Sequence, residues 1–161
     1  MGGIIMTQED KMLLIKDLSS RLPYAVHVQH TSGFSGVLYD ISMHHKYDKN
    51  DNIYDIICYT DFFGDGDSIT IEHFKPYLFP LSSMTEEMME ELNAEGFFKT
   101  DDTITNISHL ESKNGILKEI YTYVDIEGAS ILIEFFLSHH IDYRGLIEKG
   151  LAIDATGLNI Y

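Results

Sequence analysis

Along residues 7–22 apolar positions recur every three or four residues, so that Leu14, Ile15, Leu18 and Leu22 share one face of a helix. Thr7 can cap it, and Asp10 stands three positions on, as in a capping box. Pro23 ends it, because the residue before a proline is driven out of the α region. From Tyr24 the period shortens to two: Tyr24, Val26 and Val28 alternate against Ala25, His27 and Gln29, which predicts a strand. Thr31-Ser32-Gly33 turns the chain into a second strand over 36–43, and a polar stretch over 46–52 leads to a third over 53–62. Gly64-Asp65-Gly66-Asp67 reverses it into a fourth over 68–74, and Pro76 and Pro80 close the strand region. A helix followed by four or five short, tightly connected strands outlines a small SH3-like or Sm-like antiparallel β-barrel, a closure that removes exposed edges.

A second helix starts at Thr85, its N-cap, with Glu86 and Glu87 in the first turn where the dipole favours anions and Gly96 near its end. Met84 and Met89 occupy the positions of a hydrophobic staple. Asn114-Gly115, between apolar runs over 104–110 and 116–126, is the strongest short hairpin signal in the chain. Residues 129–140 are apolar almost all round and suit a buried helix, or a strand, since periodicity alone does not separate the two. Asp142 can cap a last short helix ending at Gly150. The fold class expected is therefore α+β: residues 1–82 form an N-terminal helix and small barrel, and residues 83–161 a helix and a smaller mixed α/β part, with one continuous domain as the alternative.

At 161 residues and 44% hydrophobic, the chain is long enough to build a core. Charge changes the picture more. Twenty-six acidic against 11 basic residues give −15, which argues against direct nucleic-acid binding, since that affinity comes from Lys and Arg displacing counterions. An anionic membrane surface is excluded on the same ground, and no run approaches the roughly 20 apolar residues of a membrane helix. The first residues lack the basic and long apolar regions of a secretory signal. A lone Cys58 permits no internal disulfide, so the compartment expected is the cytoplasm, with Cys58 as a small buried hydrophobe.

Asp61, Asp65, Gly66 and Glu72 fall at positions 1, 5, 6 and 12 of a calcium loop, but Phe63 at position 3 cannot ligate and the flanks read as strands; a solvated turn fits better. His139, His140 and Asp142 are the candidate metal ligands, and His44-His45 is a second doublet. Adjacent residues diverge, however, so neither doublet chelates as an i,i+4 pair would, and at a helix C-terminus His139 and His140 can instead answer the partial negative charge. Gly-rich phosphate loop, Gly-x-Ser-x-Gly elbow and Cys-x-x-Cys are all missing, so no catalytic residue and no cofactor are expected. Residues 86–102 carry seven acids, Glu86, Glu90 and Asp101 among them, against Lys99 alone: a solvated face, or a surface that imitates DNA phosphates.

The segments KPYLFPLSSMTEE (75–87) and HHIDYRGLIEKGLA (139–152), with RLPY (21–24), resemble a group of short uncharacterised proteins encoded by anaerobic gut bacteria and their phages and prophages. That resemblance implies a small intracellular accessory protein of a mobile element and brings no activity or catalytic residue with it. Tyr143 and Arg144, types enriched at interface hot spots, are its candidate contact residues. The function expected is a non-enzymatic module with a protein partner. The alternatives are an acidic DNA-mimic inhibitor of a DNA-binding or defence enzyme, and a metal-dependent hydrolase built from histidines and carboxylates distant in sequence.

Overall fold

The computed structural model describes residues 6–47, 53–60, 68–94, 110–113, 116–120 and 126–161. Helix α1 spans Gln8–Arg21. The Thr7 hydroxyl accepts the Asp10 amide at 3.1 Å and the Asp10 carboxylate accepts the Thr7 amide at 3.3 Å, completing the capping box. Thr7→Ala is expected to cost about 1 kcal/mol, read as a lower urea midpoint at unchanged slope. The inner face buries Leu14, Ile15 and Leu18 as the spacing predicts, and also Asp17 and Arg21. Pro23 sits in a 3-10 turn, Leu22–Tyr24, whose first turn suits its fixed φ. Ala25 follows at φ 53°, so the extended chain begins later than the alternation predicts and Tyr24 stays outside β1, His27–His30.

The chain forms two compact units, one of the described residues up to Leu78 together with Leu146–Tyr161, the other Phe79–Gly145. In the first, β1, β2 (Ser35–Tyr47), β3 (Ile53–Thr60), β4 (Ser68–Thr70) and, as far as Leu78, β5 (Phe74–Pro80) form an antiparallel sheet in the order β4-β3-β2-β1-β5. Val28 stands opposite Gly36 on β2 and Pro76 on β5. The described pairings leave this sheet open, with β4 at one end of the order, and no closure into a barrel is among them. The expected fourth strand is broken by a 3-10 turn, Ile71–His73, which folds buried Ile71 inward.

Pro76 and Pro80 do not end the strand region, because both lie within β5. Proline removes one ladder donor and is tolerated where pairing is incomplete. β5 changes partner along its length, and each proline is the last residue of a short pairing: Phe74 to Pro76 with β1, and Phe79 and Pro80 with β8 (Ile141–Asp142).

Residues after Leu146 complete the first unit. Instead of the helix expected after Asp142, Gly145 and Gly150 both take φ 71°, a left-handed conformation that reverses the chain, and Leu151 and Ala152 donate to the Leu146 carbonyl at 2.8 and 3.2 Å. β9, here Ile153–Asp154, then pairs parallel to β5 at Tyr77 and Leu78. Leu146, Leu151 and Ala152 thereby join Leu14, Leu18, Val26, Val28, Leu38, Phe74 and Leu78 in one core.

Tyr161 closes the same unit from a single hydroxyl, which donates to the Tyr77 carbonyl at 2.8 Å and accepts the His27 amide at 3.1 Å. Burial pushes its phenol up to about 12, although the His27 amide and Arg21 pull the other way. An unfolded phenol ionises near 10, so unfolding releases a proton in this window and stability falls as pH rises from about 10 towards 12. Tyr161→Phe is expected to flatten that alkaline decline, measured as thermal midpoint against pH.

The second unit holds α2 (Glu86–Ala94), a hairpin of β6 (Leu110–Lys113) and β7 (Ile116–Ile120), α3 (Ile126–Ser138) and β8 (Ile141–Asp142). Its Asn114-Gly115 turn lies outside the described residues, as does Gly96. α3 is a helix with one buried face: Leu132, Phe135, Phe136 and Leu137 are covered, whereas Ile133 and Glu134 look outward. That face packs with Met84, Leu92 and Ile141, and Met88 and Met89 lie against the cluster.

Candidate functional site

In the second unit the candidate residues cluster where α3 ends. Helix termini leave carbonyls without helical partners. His139 meets this end at the Phe135 carbonyl, which accepts its backbone amide at 3.1 Å and lies 3.0 Å from its Nδ1, and its ring stacks on the Phe135 ring at 4.1 Å between centroids. Nε2 of the same ring reaches the Glu91 carboxylate of α2 at 3.2 Å. His140 takes φ 56° and is buried, with its amide on the Leu137 carbonyl and its carbonyl accepting the Phe79 amide at 2.9 Å. Asp142 is buried on β8, opposite Pro80. Tyr143 stacks on Phe136 at 5.7 Å, and the Arg144 guanidinium lies 4.7 Å over the Tyr143 ring. His139, Tyr143 and Arg144 are thus engaged by side chains of their own unit.

α2 presents the acids. Thr85 caps it by accepting the Met88 amide at 3.2 Å, and Glu86, Glu87, Glu90 and Glu91 are exposed. The backbone amide of Glu87 and the Thr85 hydroxyl hold the Glu87 carboxyl below its usual range, so it stays charged in mildly acidic solution. Asp101 lies outside the described residues. Among those described, no group of three or more His, Cys, Asp or Glu could hold a metal ion, so His139, His140 and Asp142 are not brought together as a ligand set.

In the first unit, Asp61, Asp65 and Gly66 of the calcium-like pattern lie outside the described residues. Glu72, its last position, is instead paired with Lys11 of α1. Burial alone pushes the Glu72 carboxyl up, but Lys11, its own amide and Thr70 together bring it below the usual value. Cys58 lies in β3, opposite Ile41 on β2 and Ile69 on β4. His44 is in β2, opposite Asp55.

Sequence reasoning passed over three features of this unit. Asp17 and Arg21 form a two-point ion pair, Nε to Oδ2 at 2.7 Å and Nη2 to Oδ1 at 3.2 Å, with neither side chain exposed. Their i,i+4 spacing was the available signal. Phe34 and Tyr39 remain 61% and 55% exposed. Phe34 was legible as an aromatic directly after the turn glycine, Gly33. The third is a pair of imidazoles, His30 and His73, whose rings lie 5.7 Å apart although 42 residues separate neighbouring Thr31 from His73.

No family model, no curated protein and no solved structure matches the chain.

Proposed function

We propose that this chain is a non-enzymatic protein-binding accessory module of a phage or mobile element, working in the cytoplasm. The observation that carries the reading is the exposure of Phe34, directly before β2, and Tyr39, within it, two aromatics of one unit. Aromatic side chains offer large, rigid contact area and are enriched where proteins meet. Tyr143 and Arg144 take a supporting role, since each is stacked within the second unit. The finer reading of the sheet as an SH3-like barrel belongs with this proposal: β2 is irregular at Leu38/Asp40 and at His44/Tyr47, and bulges bend strands in the sense that curls a sheet. The mobile-element setting rests on the KPYLFPLSSMTEE and HHIDYRGLIEKGLA segments.

The test is affinity purification of the tagged chain at low and high salt, beside a Phe34→Ser/Tyr39→Ser double variant with unchanged circular dichroism. A stoichiometric protein retained at high salt by the parent and lost by the variant is the result expected. Nothing above background at any salt concentration, or equal capture by the variant, overturns the reading.

The exposed acids of α2 favour one second reading, phosphate imitation directed at a basic DNA-binding or defence enzyme. It predicts a partner released by salt and weakened in Glu86→Gln/Glu90→Gln/Asp101→Asn. Unchanged binding in that variant removes it.

A further inference from the structure

The turn between β1 and β2 uses an imidazole in one protonation state. The Ser32 amide donates to His30 Nδ1 at 3.1 Å, and the Ser32 hydroxyl lies 2.6 Å from the same nitrogen. A ring nitrogen that accepts an N–H carries its lone pair, so the single proton of this imidazole sits on Nε2. The same turn is closed by the His30 amide on the Phe34 carbonyl and the Gly33 amide on the His30 carbonyl, both at 2.8 Å. Gly33, at φ 93°, takes the conformation that glycine adopts most readily. From the 3-10 turn at Ile71–His73, the His73 carbonyl accepts the Thr31 amide at 2.9 Å.

A proton added to Nδ1 has two consequences. The Ser32 hydroxyl can reverse its role and accept, but the Ser32 amide cannot, and it then meets another donor. The new cation also faces His73, while the Phe74 ring stands edge-on at 5.7 Å. We infer that His30 is a proton-operated latch: neutral, it holds the β1–β2 turn closed, and acidification opens the turn and changes how Phe34 is presented. The latch does not depend on the binding role proposed for Phe34.

The surrounding groups agree with that direction. Burial and the facing His73 both hold His30 below its ordinary value of 6.5. Among the described elements packed against it, β2 meets β1 through Ser35, Gly36 and Val37, none charged. On β5, Lys75 stands opposite Gln29, and the Glu72 carboxylate beside His73 is held by Lys11. Because the open turn binds the proton more readily than the closed one, closure is fully favoured above the ordinary imidazole value and is lost as pH falls through the lowered one.

Amide exchange at Ser32 and Gly33, corrected for intrinsic acid dependence, tests this at about pH 7.5 and about pH 5. The result expected is about five- to tenfold less protection in acid, the size of one lost hydrogen bond. In His30→Asn, whose Oδ1 can accept the Ser32 amide without titrating, protection should be the same at both values. His73→Gln removes the facing imidazole and should move the opening to higher pH. Equal protection in the parent at both values, or pH dependence surviving in His30→Asn, overturns the inference. Should that variant not fold, NMR of the unmodified chain decides: a His30 ring titration coincident with the Ser32 amide shift supports the latch, and separate midpoints reject it.

Discussion

Arg21→Ala is expected to destabilise the first unit by about 3–5 kcal/mol, the cost of removing one partner of a buried ion pair. Asp17 is 0% exposed and meets Arg21 at two points, so truncating the arginine strips its carboxylate of a partner that water cannot replace. Against a total stability of roughly 5–15 kcal/mol, that loss leaves a marginal fold. Urea unfolding checks it, and the informative comparison is Asp17→Leu/Arg21→Met. Apolar replacement of both partners is often neutral or favourable, so the double variant should recover most of what the single one loses. If the two variants unfold alike, the pair is not the source of the effect.

Phe136→Ala is the second large effect, about 3–5 kcal/mol in the second unit. The ring is 2% exposed, and Tyr143 stacks on it with planes 20° apart. Its loss leaves a cavity beneath Tyr143 and removes the surface on which the Tyr143–Arg144 stack rests. Phe136→Leu should cost much less, because it fills most of the volume. Thermal unfolding ranks the two, and hydrogen exchange at 141–144 should rise in the alanine variant while α1 keeps its protection. Equal losses for leucine and alanine would point away from a cavity.

The elements that were legible are those specified by neighbours in sequence. Thr7 with Asp10, and Thr85 with the Met84 and Met89 staple, are local rules, and both helices begin where those rules place them. Residues 129–140 were open between helix and strand because a one-sided burial was masked by apolar residues on the outer face, such as Ile133. The errors came from partners distant in the chain. Pro76 and Pro80 read as stops until β1 and β8 supply pairings that end on them. Asp142 read as a cap because nothing local shows that it will extend beside Pro80. Among the candidate site residues, the expectation that a histidine can answer a helix C-terminus describes His139, whereas its pairing with Glu91 links residues 48 apart and was not legible. His30 and His73 escaped notice for the same reason.

The first unit also has a schedule imposed on it by synthesis. Its core needs Leu146, Leu151 and Ala152, and β9 must find β5, yet Phe79–Gly145 is made in between. On a ribosome adding about 5–20 residues per second, α1 and β1–β4 wait several seconds with one side of their core missing. A nascent chain halted before Leu146 should therefore expose Val26, Val28 and Leu78 to proteases and chaperones. The lengthening loop that must close also predicts slow refolding for a chain of this size. The order in which this protein is made thus differs from the order in which its first unit can become stable.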